Sequence, residues 1–307
     1  MTAAAPPGGA EEHDAALRLA VRTTGRLLAL DARQGATAAV PAVREAVRRI
    51  PELAADPRTL HAYGPDRLAA LAELSEVIGW ILFDAGRYRG ARRMNVRALA
   101  LADLCGDRWT ARLTLLNHSM LTTHTGRPRA ALAAAARVDG PRPLPARVAG
   151  LVLIRRAHAT ALLGARTEPL ELISRARSRF LDGVSRRDPH WAWWIDEAEL
   201  LGHEGWVQAR LRRWDRAVPL LHRAATAPGP SYRHLFTAEL LSALAGAGAW
   251  REAEELIARV APGAAAIGSV RTTESLRRTA AALLRAPAAA PAALRDAAAF
   301  LRESLPA

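Results

Sequence analysis

The chain has 307 residues, half of them hydrophobic but only 5% aromatic, with a formal net charge of +13 and a single cysteine. That length suffices for a sizeable core, while the lone Cys105 excludes an intrachain disulfide and a multi-cysteine zinc site, and no apolar run approaches the ~20 residues that span a bilayer. All 43 basic residues are arginines, scattered in runs no longer than pairs such as Arg48-Arg49, Arg155-Arg156 and Arg212-Arg213, so the chain lacks the basic strip that phosphates require and direct nucleic-acid binding is not expected.

Taken in order, residues 1–12 read as a disordered segment. The opening "MTAAAPPGGAEEHD" has neither the charged region nor the apolar run of a secretory signal, so a cytoplasmic protein without membrane association is expected. Residues 13–285 follow as one helical region, and 286–307 as a linker with a C-terminal capping helix. Alanine, leucine and arginine dominate, and they lose little side-chain freedom in a helix. Apolar residues recur at helical spacing, without an alternating strand pattern. Proline and glycine punctuate the chain at "DGPRPLPA" (139–146), "TAPGPS" (226–231), "APGAAAIG" (261–268) and "APAAAP" (286–291).

Within these limits a phrase repeats. "IGWILFDAGRYRGARRMNVRAL" (78–99), "HSMLTTHTGRPRAALAAAARV" (118–138), "EGWVQARLRRWDRAVPLLHRAA" (204–225) and "LLSALAGAGAWREAEELIARV" (240–260) share one plan. Each has an amphipathic helix, a tight turn, a bulky residue or proline, and alanine three positions on, with a small or apolar residue seven beyond that. The anchors are Tyr88/Ala91/Ala98, Pro128/Ala131/Val138, Trp214/Ala217/Ala224 and Trp250/Ala253/Val260. A weaker unit, "RAHATALLGARTEPLELISRA", fills 156–176. Two antiparallel helices need small residues where their backbones approach, and one such hairpin cannot bury its apolar face alone, so neighbours must stack. The pattern resembles degenerate tetratricopeptide repeats, and the fold expected is an all-α solenoid of helical hairpins.

A narrower resemblance rests on "ELSEVIGWILFDAGRYRGARRMNVRALALADLCGD", "LLNHSMLTTHTGRPRAAL" and "DPHWAWWIDEAELLGHEG". These phrases are similar to the tetratricopeptide-like sensory region of actinobacterial Xre-type helix-turn-helix regulators, across roughly residues 15–285. The residues before the first helix are too few for a DNA-reading domain, so the resemblance implies the scaffold and its ligand-holding capacity without DNA contact. It implies a regulatory protein acting through a protein partner, with a homodimer as a further expectation.

The alignment to the repeat also assigns faces. The first helix of each pair lines a concave groove, which gives Glu73, Glu76, Trp80 and Phe83 in one repeat. Met120 follows in the next, with Asn117 and His124 adjacent. The weaker third repeat offers His158, with Arg155 beside it, and the fourth offers Glu199 and Trp206. The stretch "HWAWWIDEAELLGHEGW" (190–206) then divides by helical spacing: Trp194, Ala198, Leu201 and Gly205 form a packing seam, and Asp196, Glu199, His203 and Trp206 face the groove. Asp188, before Pro189, sits where a helix N-cap belongs. His118 falls at a packing position, and Cys105 reads as a buried, inert thiol.

Two chemistries compete for this groove with a plainer alternative, a helix whose acidic residues pair with nearby arginines and cap neighbouring helices. Asp196, Glu199 and His203 have metal-ligand spacing, but "HEGWV" is not HExxH because Val207 stands where a second histidine belongs, so no metal is expected. Carboxylates in an apolar cleft would hold protons near neutrality, so Glu76, Glu199 and Asp196, with His203, would be the acid/base residues of a biosynthetic enzyme on a regulator-derived scaffold. The preferred expectation is a non-catalytic protein that binds a small molecule or peptide through Glu73, Glu76, Trp80, Phe83, Asn117, Met120, His124, His158, Glu199, His203 and Trp206, with no cofactor. The chain has no GxSxG, no P-loop and no strand-led GxGxxG.

Overall fold

The computed structural model describes residues 7–285 and 290–306, with backbone alone for 7–13. Residues 1–6 of the expected disordered segment and 286–289 of the expected linker lie outside the described residues. Helix α1 is described from Pro7. The described residues are all-helical: fourteen α-helices joined by turns and short 3-10 segments, with no strand among them. None of these helices is long and apolar enough to cross a membrane.

The chain forms two compact units, Met1–His118 and Ser119–Ala307. The first contains α1 (Pro7–Gln34), α2 (Ala36–Arg49), α3 (Pro65–Asp84), α4 (Tyr88–Cys105) and the larger part of α5 (Arg108–His124). The second continues with α6 (Pro128–Ala136), α7 (Ala146–Leu162), α8 (Glu168–Leu181), α9 (Glu197–Arg210) and α10 (Trp214–Thr226). It ends with α11 (His234–Ala247), α12 (Trp250–Val260), α13 (Val270–Leu284) and α14 (Ala292–Ser304). Helices α3 and α4, α7 and α8, α9 and α10, and α11 and α12 pack as consecutive pairs, and α7 packs on α9 and α11 on α13, consistent with a helical repeat.

The reason for the pairing is visible in the anchors. Tyr88, Pro128, Trp214 and Trp250 are each the first residue of a helix. Three positions on, Ala91, Ala131, Ala217 and Ala253 are all fully inaccessible, where a larger side chain would hold the two backbones apart. Gly205 shows the same constraint from the facing helix: a Cβ there would lie 2.6 Å from Leu221 Cγ. The α3–α4, α5–α6, α7–α8 and α11–α12 turns use glycine at positive φ, whereas the α9–α10 turn puts Arg212 there, at φ 59°.

The stretch 190–206 departs from a single continuous helix. His190–Trp194 is a 3-10 turn, Asp196 is extended, and α9 starts at Glu197. Trp194 therefore does not lie on the helical seam with Ala198, Leu201 and Gly205. The break has a local cause: Asp196 Oδ1 accepts a hydrogen bond from Glu199 N at 3.0 Å, which makes Asp196 the N-cap. Asp188 caps no helix; its Oδ2 accepts from Ser185 N at 2.8 Å and Pro189 precedes the 3-10 turn.

Candidate functional site

In the first unit, Glu76 is buried on α3 and accepts a hydrogen bond from Asn117 Nδ2 on α5 at 2.6 Å. Burial pushes its carboxyl from 4.5 up to about 7; the Asn117 bond opposes the shift and the charge of Glu73 adds to it. Trp80 donates from Nε1 to Asp31 Oδ2 at 3.1 Å and meets Phe83 edge-on with ring centroids 6.0 Å apart. Phe83 is only 2% exposed, whereas Glu73 and Trp80 are half-buried. Glu76 and Asn117 are thus brought into direct contact, with Glu73 close enough to act on the charge of Glu76.

In the second unit His158, Glu199, His203 and Trp206 meet more closely. Helix α7 is apolar on nearly every side, yet it carries Arg155 and His158 inward, at 1% and 8% exposure. His158 stacks on Trp206 of α9, with ring planes 9° apart and centroids at 4.0 Å. The other ring neighbour of His158 is His203, edge-on at 4.9 Å, and His203 in turn meets Phe236 of α11 at 5.8 Å. Gly202 makes room for that ring: a Cβ would fall 2.2 Å from Phe236 Cε1. Arg210 covers Trp206 at 4.7 Å from the ring centroid.

A charged chain runs through the same place. Asp196 Oδ2 accepts from Arg233 Nη2 at 2.5 Å, and Arg233 Nε donates to Glu199 Oε1 at 3.3 Å. Glu199 Oε2 lies 3.5 Å from His203 Nε2, and that nitrogen lies 3.4 Å from Arg155 Nη1. Asp196 is therefore committed twice, to the α9 N-terminus and to Arg233. Met120 Sδ accepts from Arg271 Nη1 of α13 at 3.4 Å, and His124 Nε2 lies 3.6 Å from Glu274 Oε2.

Protonation follows from burial and from the arginines. Burial raises Glu199 from 4.5 to about 7, against the pull of Arg233 and Arg155. Burial holds His158 at about 3, with Arg155 lowering it further and a hydrogen bond to the His203 backbone opposing. His203 falls well below its ordinary value through burial, then His158, Arg155 and Arg271. His124 drops to about 4 for the same first reason, with Arg271, Arg278 and Arg210 adding. The three histidines are neutral at neutral pH, so Nε2 of His203 presents a lone pair to Arg155 Nη1. Glu199 can keep or release a proton near neutrality.

Arg155 and Arg233 were not among the candidate ligand residues. Arg155 had a signal: an arginine inside "VAGLVLIRRAHATAL", where helical spacing puts it one turn from His158. Arg233 had none, since it lies in the 3-10 turn before α11 and reaches Glu199 only through the fold. Among the described residues, no group of three or more His, Cys, Asp or Glu is arranged to hold a metal ion. No protein-family model matches the chain, and no curated protein matches it.

Proposed function

We propose that this protein is a regulatory binding protein on a tetratricopeptide-like α-solenoid scaffold, which holds a small ligand among the inner residues of α7, α9 and α11 and acts through a protein partner. The observation that carries the reading is Arg155: it is 1% exposed, and its Nε and Nη2 have no hydrogen-bond partner among the described residues. A buried polar group left unpaired costs about 1–3 kcal/mol, more if charged. A chain that retains such a group beside the unpaired Nε2 of His158 has a use for it. The repeated anchors support the scaffold, and the regulatory role and the partner follow from the resemblance to Xre-type sensory regions.

Thermal unfolding of the purified protein, with and without the small-molecule fraction of a cell extract, tests the reading. A saturable rise in the midpoint is expected, because a ligand that binds only the folded state stabilises it by mass action. An unchanged midpoint would remove the proposal. A second reading, an acid/base enzyme, is favoured by one observation, the Glu199 carboxyl poised at about 7 beside His203. Mass spectrometry of the same fraction distinguishes the two. The binding reading expects every component recovered unchanged, whereas the enzyme reading expects one component consumed by the wild type and spared by Glu199→Gln.

A further inference from the structure

Four arginines are buried among the described residues, Arg97, Arg155, Arg233 and Arg271; Arg271 donates to Met120 Sδ, and the other three show a contrast. Arg233 uses all its nitrogens on protein: Nε on Glu199 Oε1, Nη1 on the Pro228 carbonyl at 2.9 Å and Nη2 on Asp196. Arg97 sends Nη1 to the Ala55 carbonyl at 2.5 Å and Nη2 to the Glu52 carbonyl, and only its Nε lacks a partner. These are structural arginines, each clamped by oxygen atoms. Arg155 differs in kind: its one hydrogen bond, from Nη1, goes to a neutral imidazole, and both Nε and Nη2 are unpartnered.

The identity of the two open nitrogens matters. Nε–H and the adjacent Nη2–H lie along one edge of the planar guanidinium and point in parallel. That edge matches the two oxygens of a carboxylate, or two oxygens of a phosphate, in a bidentate fork. The third nitrogen, held by His203, fixes the plane of the group. Glu199, the carboxylate nearest in charge terms, is already bonded to Arg233.

His158 lies three residues further along α7, hence on the same face, about 5–6 Å away between Cβ atoms. Burial keeps its ring neutral, and in the tautomer with the proton on Nδ1 the unpartnered Nε2 is a lone-pair acceptor.

We propose that the Nε/Nη2 edge of Arg155 seats an oxyanion, carboxylate or phosphate, of a small ligand whose neighbouring hydroxyl or N–H donates to His158 Nε2. This rests on the reading that the interior of the second unit binds a small ligand. Arg271 is 4% exposed and acts on the charge of Arg155, His124 and His203, so it adds a second positive charge near the seat, with Glu199 the opposing one. Trp206 stacks on His158 and carries Arg210 over its ring, so it forms a wall beside His158.

The test titrates glycolate, acetate and inorganic phosphate into the full chain by calorimetry at constant ionic strength. Saturable binding of glycolate or phosphate to the wild type is expected, and the tighter of the two identifies the oxyanion. Arg155→Met should weaken it by roughly 10- to 100-fold, the range of charge-assisted hydrogen bonds. Arg155→Lys, which keeps the charge but loses the fork, should also weaken it at least about tenfold, and it decides the matter if the Met variant fails to fold. His158→Phe should erase any preference for glycolate over acetate. Oxyanion binding unaltered in Arg155→Lys and Arg155→Met overturns the seat. If no oxyanion binds the wild type while the small-molecule fraction still raises its unfolding midpoint, the seat falls and the binding reading stands; if neither acts, both fall.

Discussion

Glu76 offers a stability test that needs no ligand. Its carboxyl sits at about 7 in the folded chain against 4.5 unperturbed, because burial disfavours the anion more than Asn117 stabilises it. The folded state therefore binds the Glu76 proton more tightly than the unfolded state does. Below 4.5 both states are protonated and no cost arises; the cost grows as pH rises and is complete above about 7. The interval amounts to roughly 3 kcal/mol against folding at neutral and higher pH. Glu76→Gln removes the charge and keeps an oxygen for Asn117, at a cost of about 1 kcal/mol for the new amide donor. The variant should then be about 2 kcal/mol more stable than wild type near pH 8, and no more stable than wild type near pH 4.5. Urea unfolding at the two pH values measures the difference directly. A variant destabilised equally at both would refute the reasoning, since a buried anion would then not be what Glu76 costs the fold.

Two further substitutions probe the scaffold. Gly202→Ala drives a methyl group against Phe236, 2.2 Å from its Cε1, and should cost about 1–3 kcal/mol in urea unfolding; an unchanged midpoint would mean that the ring moves freely. Arg212→Gly relieves a left-handed backbone at φ 59° and should raise stability by about 1 kcal/mol, whereas a loss would show that the Arg212 side chain contributes more than its backbone costs.

The sequence was most legible where one residue decides the geometry. A bulky residue followed by alanine at the third position marks the first turn of α4, α6, α10 and α12 because close backbones admit nothing larger. It was least legible where a tertiary contact competes with periodicity. Helical spacing carried Trp194 and Asp196 onto one continuous wheel, but the Asp196 carboxylate bonds Glu199 N and Arg233, so the helix starts after it. Asp188 failed as a cap for a related reason, since its carboxylate turns back to Ser185 N. The polar cluster was legible through His203, Glu199 and Trp206 on one helix face. That His158 stacks on Trp206 and Arg155 meets His203 depends on how α7 packs on α9, which spacing within one helix does not encode.

The central claim is that the Arg155 fork is held ready for a ligand and is not a structural clamp. Proton–nitrogen correlation spectra of the arginine Nε–H groups report on it directly, with the Arg155 signal assigned by its loss in Arg155→Lys. On titration with glycolate at constant ionic strength, the Arg155 resonance is predicted to shift saturably, while Arg233 Nε, already bonded to Glu199 Oε1 at 3.3 Å, stays in position. An Arg155 resonance that does not move, or one that moves together with those of the exposed arginines, would contradict the account.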